Sequence, residues 1–365
     1  MNTFKKLLPL LAVALAACSN DDPVIEPIQT EPNGYQKGVY VLNEGNMGAN
    51  KTTLDFLDTK SDKFFDDIYA RTNPEQILGL GDAGNDLQIF NQCLYAVING
   101  SNKVEIMSAA TARSIGRVDV ASPRAIAFDK RGQAYVSSFV GPVETQPRGS
   151  VVRFDVSTLE VTGRVTVGVG PEEMVVIGDS LYVANSYNYD TNTYDNTITI
   201  VDLISFTVVD SIAVAPNLHH LRLDSDGNLW VNSRGNYADI APALYRLSPK
   251  REGWDVLKTN AECSNFAISG NKIYMYSQTW DADWNASYSY STLDIKTLAV
   301  GPCFIVDPQA IETPYAIGVS PAGDIYITDA RNYVSSGTLR RYNADGTLKQ
   351  QYTTGDLPGH LAFWN

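Results

Sequence analysis

Glu172–Glu173 and His219–His220 are places in this sequence where adjacent side chains could pass a proton or share a cation. A carboxylate or imidazole with a suitably placed partner acts as a general acid or base, and a neutral imidazole also binds metals. Neither pair has a partner at a spacing that specifies a reaction. Along a regular strand His219 and His220 point to opposite faces, which disfavours a shared metal site. The stretch "DADWN" (281–285) opens like a calcium loop, but Ala286 stands where that loop needs glycine. "GLGDAG" (79–84) matches a dinucleotide pattern without the βαβ unit around it, so it reads as a loop. There is no G-x-S-x-G and no H-E-x-x-H. The residues point to a binding protein rather than an enzyme, with no metal and no resident cofactor.

The aromatic residues carry a stronger signal. Met47, Phe139, Tyr187, Tyr189, Tyr194, Tyr237, Trp280, Trp284, Tyr288 and Tyr333 fall in polar segments such as "NEGNMGANKT", "SYNYDTNTYDN", "SRGNYADIAPA" and "SQTWDADWNASYS". Rigid aromatic rings among amides and hydroxyls suit a bulky ligand that is part apolar and part hydrogen-bonding.

These segments belong to a repeat. An apolar–aromatic–apolar run ending in a small or polar residue recurs as "VYVLN", "LYAVIN", "AYVSS", "LYVANS", "LWVNS", "IYMYS" and "IYITD". Its anchor aromatics are Tyr40, Tyr95, Tyr135, Tyr182, Trp230, Tyr274 and Tyr326, spaced 40 to 55 residues apart. An apolar strand and a tight turn precede most anchors, and two further strands follow. Four antiparallel strands at that period make a β-propeller blade. Seven copies predict an all-β, seven-bladed propeller over residues 35–365. The C-terminal "GHLAFWN" is a first strand with nothing after it, and "GVYVLN" is a second strand with none before it. Joined, they complete one blade and remove the open sheet edge.

In such a ring the long segments gather on one face, while "DKRG", "DSDG" and "NADG" make short turns on the other. Function concentrates on loops displayed by a rigid scaffold. Aligning the blades also places Asn85, Arg124, Glu172, His219, Ser264, Tyr315 and Gly359 at the starts of the inner strands. Asp86, Glu173, His220, Asn265 and His360 are their neighbours. These residues are expected to crowd the channel mouth, where they hydrate the pore or contact ligand. The candidate ligand-binding set is Asn85, Arg124, Phe139, Tyr187, Tyr189, His219, Tyr237, Trp280, Trp284, Tyr315 and Tyr333.

The N-terminal segment reads as an address. Lys5 and Lys6, a short apolar run and "LAAC" make residues 1–17 a secretory signal. Residues 18–34, rich in proline and acid, read as a flexible tether. Removing Lys5 and Lys6 from the 28 basic residues leaves 26 against 41 acidic ones, a net charge of −15. That balance argues against nucleic acid and against a polybasic membrane contact. The three remaining cysteines, Cys93, Cys263 and Cys303, have no metal spacing and read as buried free thiols.

The "LAAC" ending resembles a bacterial lipobox, which implies lipidation of Cys18, and the acidic residues after it resemble the surface-export signal of Bacteroidetes lipoproteins. The copy at 171–215 resembles the YVTN-type repeat of YncE-like propellers. "VYVLNEGNMGANKTTLDFLD" and "GDAGNDLQIFNQCLYAVINGSNKVEIM" are similar to segments of the BtuG group of Bacteroides surface lipoproteins. The resemblance implies an outer-membrane, cell-surface lipoprotein that captures cobalamin and passes it to a TonB-dependent transporter. The residues by themselves also fit a glycan- or protein-binding surface propeller, or a lactonase- or lyase-like propeller enzyme.

Overall fold

The computed structural model describes residues 37–141, 147–188, 191–236, 239–281, 283 and 285–365. The signal, Cys18 and the tether lie outside the described residues. The chain forms seven antiparallel sheets around a central channel. The second sheet shows the plan: Gly84–Phe90 is innermost, followed outward by Cys93–Ile98, Lys103–Ser108 and Ser114–Asp119. Innermost in the third, fourth, fifth and seventh sheets are Pro123–Phe128, Pro171–Ile177, Leu218–Leu223 and Pro314–Val319. Neighbouring inner strands touch all the way round the ring.

Closure follows the sequence expectation. Pro358–Trp364 pairs antiparallel with Gly38–Asn43 and becomes the innermost strand of the first blade. The sixth blade departs from it. Asn265–Ser269, Lys272–Trp280 and Ala286–Asp294 form three strands, and an isolated bridge between Leu293 and Val300 stands where a fourth would run. Pro302 and Pro308 follow closely, and proline cannot donate to a ladder.

The core is not one mass but seven clusters, one at each junction between adjacent blades. This explains the repeated aromatic. Tyr40 packs with the second blade, Tyr95 with the third, Tyr135 with the fourth, Tyr182 with the fifth, Trp230 with the sixth and Tyr326 with the first. These six are buried. The polar tips of Tyr40, Tyr135 and Trp230 find partners where the chain turns. The Tyr135 hydroxyl donates to Asp129 at 2.9 Å, and Trp230 Nε1 donates to Asp224 at 2.8 Å. Tyr274, the half-buried exception, belongs to the three-stranded blade.

The cysteines correct one expectation. All three described thiols are free and Cys263 is buried, but Cys93 is half-buried and Cys303 is exposed, outside any strand.

Candidate functional site

The inner strands do not run as regular β-structure at the channel mouth. Their pairing register slips between Gly84 and Asp86, Pro123 and Ile126, Pro171 and Met174, Leu218 and Leu221, and Pro314 and Ile317. Each slip is a β-bulge that takes one or two residues out of the ladder and re-aims their side chains. The freed residues are those aligned from the sequence: Asn85, Arg124, Glu172, Glu173, His219, His220 and Tyr315. The bulge also overturns the expectation that His219 and His220 point apart. Both line the same cavity, with ring centroids 4.0 Å apart.

The amides freed by the bulges are capped from two sides. Ser137 Oγ accepts from Ala125 N, Asn232 Oδ1 from His220 N, and Thr328 Oγ1 from Ala316 N. These acceptors are polar residues at the ends of the recurring anchor strands. Acids of the preceding inner strand supply the rest: Asp86 accepts from Ile126 N at 2.9 Å and Glu173 from Leu221 N at 2.9 Å. Glu173 therefore holds the ring together and is not free to act as an acid or base.

A cavity of about 960 Å3 opens at this mouth, on the face carrying the long loops. Below it lies a second space of about 370 Å3. Asp86, Glu173, His220, Asn265 and His360 border both. Around the mouth the charges are mostly matched. Arg124 grips Glu172 through Nε and NH2 at 3.1 and 3.2 Å, donates to Asn85 at 2.9 Å, and stacks 4.6 Å over the Phe139 ring. His220 Nδ1 is 2.5 Å from Glu173, with Arg222 close behind at 3.6 Å. The Tyr315 hydroxyl donates to Glu44 at 2.7 Å, and His360 stands 3.2 Å from the same carboxylate.

Burial and these neighbours set the protonation states. Burial works against the Glu173 charge, but His220, Arg222 and the Leu221 amide outweigh it and hold the carboxyl at about 2. Burial pushes Asp86 up. Burial also lowers both His219 and His220, and for His219 the surrounding cations Arg234 and Arg124 push further in that direction. His219 is thus neutral at physiological pH, and its Nδ1 is shut from solvent without a partner among the described residues.

Of the sequence candidates, Asn85, Arg124, His219, Trp280, Tyr315 and Tyr333 line the cavity. Phe139 stands behind Arg124 as its stacking platform. Tyr187 does not line the cavity: its ring packs tilted against Tyr194, centroids 4.5 Å apart, and its hydroxyl bonds Asn192. Tyr189, Tyr237 and Trp284 lie outside the described residues. The lining also includes residues the candidate set omits, chiefly Glu44, Arg234, Tyr276 and Gln278. Three of these share a signal, since Glu44, Arg234 and Gln278 all directly follow the polar end of an anchor run.

Loop pinning keeps the mouth in shape. Asp82, in "GLGDAG", accepts from Gly48 N and Asn50 N and so fixes the loop that carries Met47. Tyr333 adopts a left-handed backbone with φ 64°, a conformation that costs a non-glycine residue roughly 1–2 kcal/mol. Asn46 Nδ2 holds it through the Tyr333 carbonyl at 2.9 Å, and its ring meets Tyr315 edge-on at 6.2 Å. In "DADWN", the Asp281 carboxylate is taken up by Asp283 N and by the backbone and side chain of Asn285.

Fold and site together define a seven-bladed β-propeller with a large polar–aromatic cavity on its elaborated face. The chain belongs to the DUF5074 family, a domain of unknown function, which matches residues 37–281. Among solved structures it is similar to a quinonprotein alcohol dehydrogenase-like protein from Bacteroides thetaiotaomicron, at 16% identity and TM-score 0.65 over 92% of this chain and 80% of that one. It is also similar to a hypothetical selenium-binding protein from Sulfolobus tokodaii, at 11% identity and TM-score 0.65 over 92% and 93%. Apo AztD from Citrobacter koseri matches at 12% identity and TM-score 0.52 over 90% and 98%. At such identities these likenesses show the fold alone. No curated protein matches the sequence.

Proposed function

We propose that this protein is a cell-surface lipoprotein that captures a bulky, amide-bearing nutrient, cobalamin foremost, and hands it to a TonB-dependent outer-membrane transporter. The observation that carries the reading is the cavity itself. Its volume of about 960 Å3 sits at the top of the usual range for small-molecule sites. Its walls combine the rings of Tyr276, Tyr315, Tyr333 and Trp280 with the amides of Asn46, Asn85, Asn265 and Gln278. A corrin fits that chemistry: its rim of amides needs hydrogen-bond partners and its methyl-rich faces need aromatic surface. The Trp280 side chain, 53% exposed at the rim, offers a ring to the part of a large ligand that stands proud of the cavity.

Surface display rests on the N-terminal signal and on lipidation of Cys18. A lipid-anchored capture protein of this kind would pass its ligand to a transporter. Addition of cobalamin to the purified mature protein is expected to shift the visible spectrum of the corrin, with saturable heat in calorimetry. Absence of both at micromolar cobalamin would overturn the cobalamin reading. Binding of glycans in its place would favour a sugar-capture propeller on the same aromatic rim.

A further inference from the structure

Among the ionic groups at the cavity mouth, Arg234 is the exception. Arg124, Glu172, Glu173, Glu44 and His360 each have a partner of opposite charge or a hydrogen bond. Arg234 lines the cavity half-buried, and its guanidinium has no ion pair and no hydrogen bond among the described residues. In a chain of net charge −13 an unmatched cation inside a cavity is conspicuous. A half-buried guanidinium has lost part of its hydration and is stabilised by an oxyanion that accepts its forked N–H groups.

The position is built rather than accidental. Arg234 N donates to Asn217 O at 2.9 Å, and the flanking Ser233 Oγ donates to Pro216 O at 2.6 Å. Gly235 follows at φ 70°, where a Cβ would clash with the Ile240 carbonyl. Asn236 N closes the loop onto Ile240 O, and the Tyr194 hydroxyl holds Asn236 O at 3.0 Å. The backbone that carries the guanidinium is therefore braced from both sides. His219 lines the same cavity. The neighbouring carboxylates cannot occupy this spot, because Arg124, His220, Tyr315 and backbone amides already engage them.

We infer that Arg234 forms an oxyanion subsite in the cavity, and that the ligand carries a carboxylate or a phosphate ester at the end lodged against the fifth blade. The inference rests on the cavity being the ligand site but does not depend on the ligand being cobalamin. Cobalamin qualifies, since it carries one phosphodiester in its nucleotide loop, and cobinamide, which lacks the whole nucleotide and with it that phosphate, provides a control.

The test uses the purified mature protein in two arms. In the first, inorganic phosphate is compared with sodium chloride of equal ionic strength in a thermal shift assay. Phosphate is expected to raise the Tm of the wild type and not that of Arg234→Gln. Equal shifts in both proteins, or none in the wild type, would overturn the subsite. In the second, calorimetry compares cobalamin with cobinamide. Losing a charge-assisted bond is expected to weaken cobalamin binding by Arg234→Gln about tenfold or more, with cobinamide affinity unchanged. Arg234→Lys is expected to fall between, because an ammonium keeps the charge and loses the fork. An equal loss for both ligands would overturn the assignment of Arg234 to the phosphate. If the wild type binds no cobalamin, the proposed function fails, while the phosphate arm still decides the subsite. Arg234 has no side-chain partner to lose among the described residues, so an unchanged Tm of the ligand-free variant is expected.

Discussion

His360 Nε2 lies 3.2 Å from Glu44 Oε1, joining the last strand of the chain to the first loop of the propeller. The contact is an ion pair without the alignment of a hydrogen bond. Burial disfavours the imidazolium, but Glu44, Asp86 and Glu173 together raise its pKa above the ordinary 6.5. A folded-state pKa above the unfolded value gives stability that is complete below pH 6.5 and is lost as pH rises through the raised value. His360→Gln is therefore expected to lower the Tm more at pH 6 than at pH 9, relative to wild type at each pH. Thermal melts at the two pH values decide it, and an equal deficit at both would refute the charged pair.

Arg124 is spent on the scaffold. Its bidentate grip on Glu172 joins the third and fourth blades, and the Glu172 side chain is only 6% exposed. Removing one partner of such a pair strands the other, at a cost of about 3–5 kcal/mol. Arg124→Gln is expected to destabilise strongly, and the double variant Arg124→Gln/Glu172→Gln to recover much of the loss. Denaturant unfolding of the two single variants and the double variant gives the coupling. Additive losses would show that the pair contributes nothing.

The propeller was legible because each blade must bury one aromatic against the next, which stamps a regular period on the sequence. Tyr135 and Trp230 are legible for that reason, and so is the orphan strand at Pro358–Trp364. The ring of mouth residues was legible as a set of positions, but not their orientation. Strand alternation separates His219 from His220, whereas the bulge that unites them depends on capping by Asn232 and by Glu173 of another blade. The position of Arg234, directly after an anchor run, was legible, but its role was not, since one charge in a polar loop looks like solvated surface until the structure shows it facing a cavity with no partner among the described residues. Loop composition likewise could not say that Tyr187 would spend its ring on Tyr194.

That last difference separates two aromatic residues of the same loop face. Trp280 lines the cavity and Tyr187 does not. An aromatic anchor in a binding site contributes about 2 kcal/mol or more. Trp280→Ala is expected to weaken ligand binding about thirtyfold, mainly through faster release, while Tyr187→Ala leaves affinity nearly unchanged. Stopped-flow dissociation of bound cobalamin measures both. A large effect of Tyr187→Ala with none from Trp280→Ala would move the site off this cavity.

Ring closure by Pro358–Trp364 makes the C-terminus a structural element. The strand pairs with Gly38–Asn43 along its length, Thr328 Oγ1 donates to Pro358 O at 2.6 Å, and Leu361 and Phe363 pack into the junction of the seventh and first blades. It also supplies His360 to the ion pair with Glu44. Without it Gly38–Asn43 presents a bare edge to the channel, and the two adjoining junctions lose apolar cover. Truncating one core side chain costs about 2–5 kcal/mol, against a whole-domain stability of about 5–15 kcal/mol. Deleting Pro358–Asn365 is therefore expected to abolish or broaden cooperative melting. Collapse of the truncated chain for some unrelated reason is distinguished by adding the missing segment back. A synthetic peptide covering Pro358–Asn365 is expected to restore a cooperative melt to the truncated protein in a concentration-dependent way, as any ligand selective for the folded state stabilises it. A truncated protein that melts like the wild type, or one that ignores the peptide, would show that the ring does not depend on this strand.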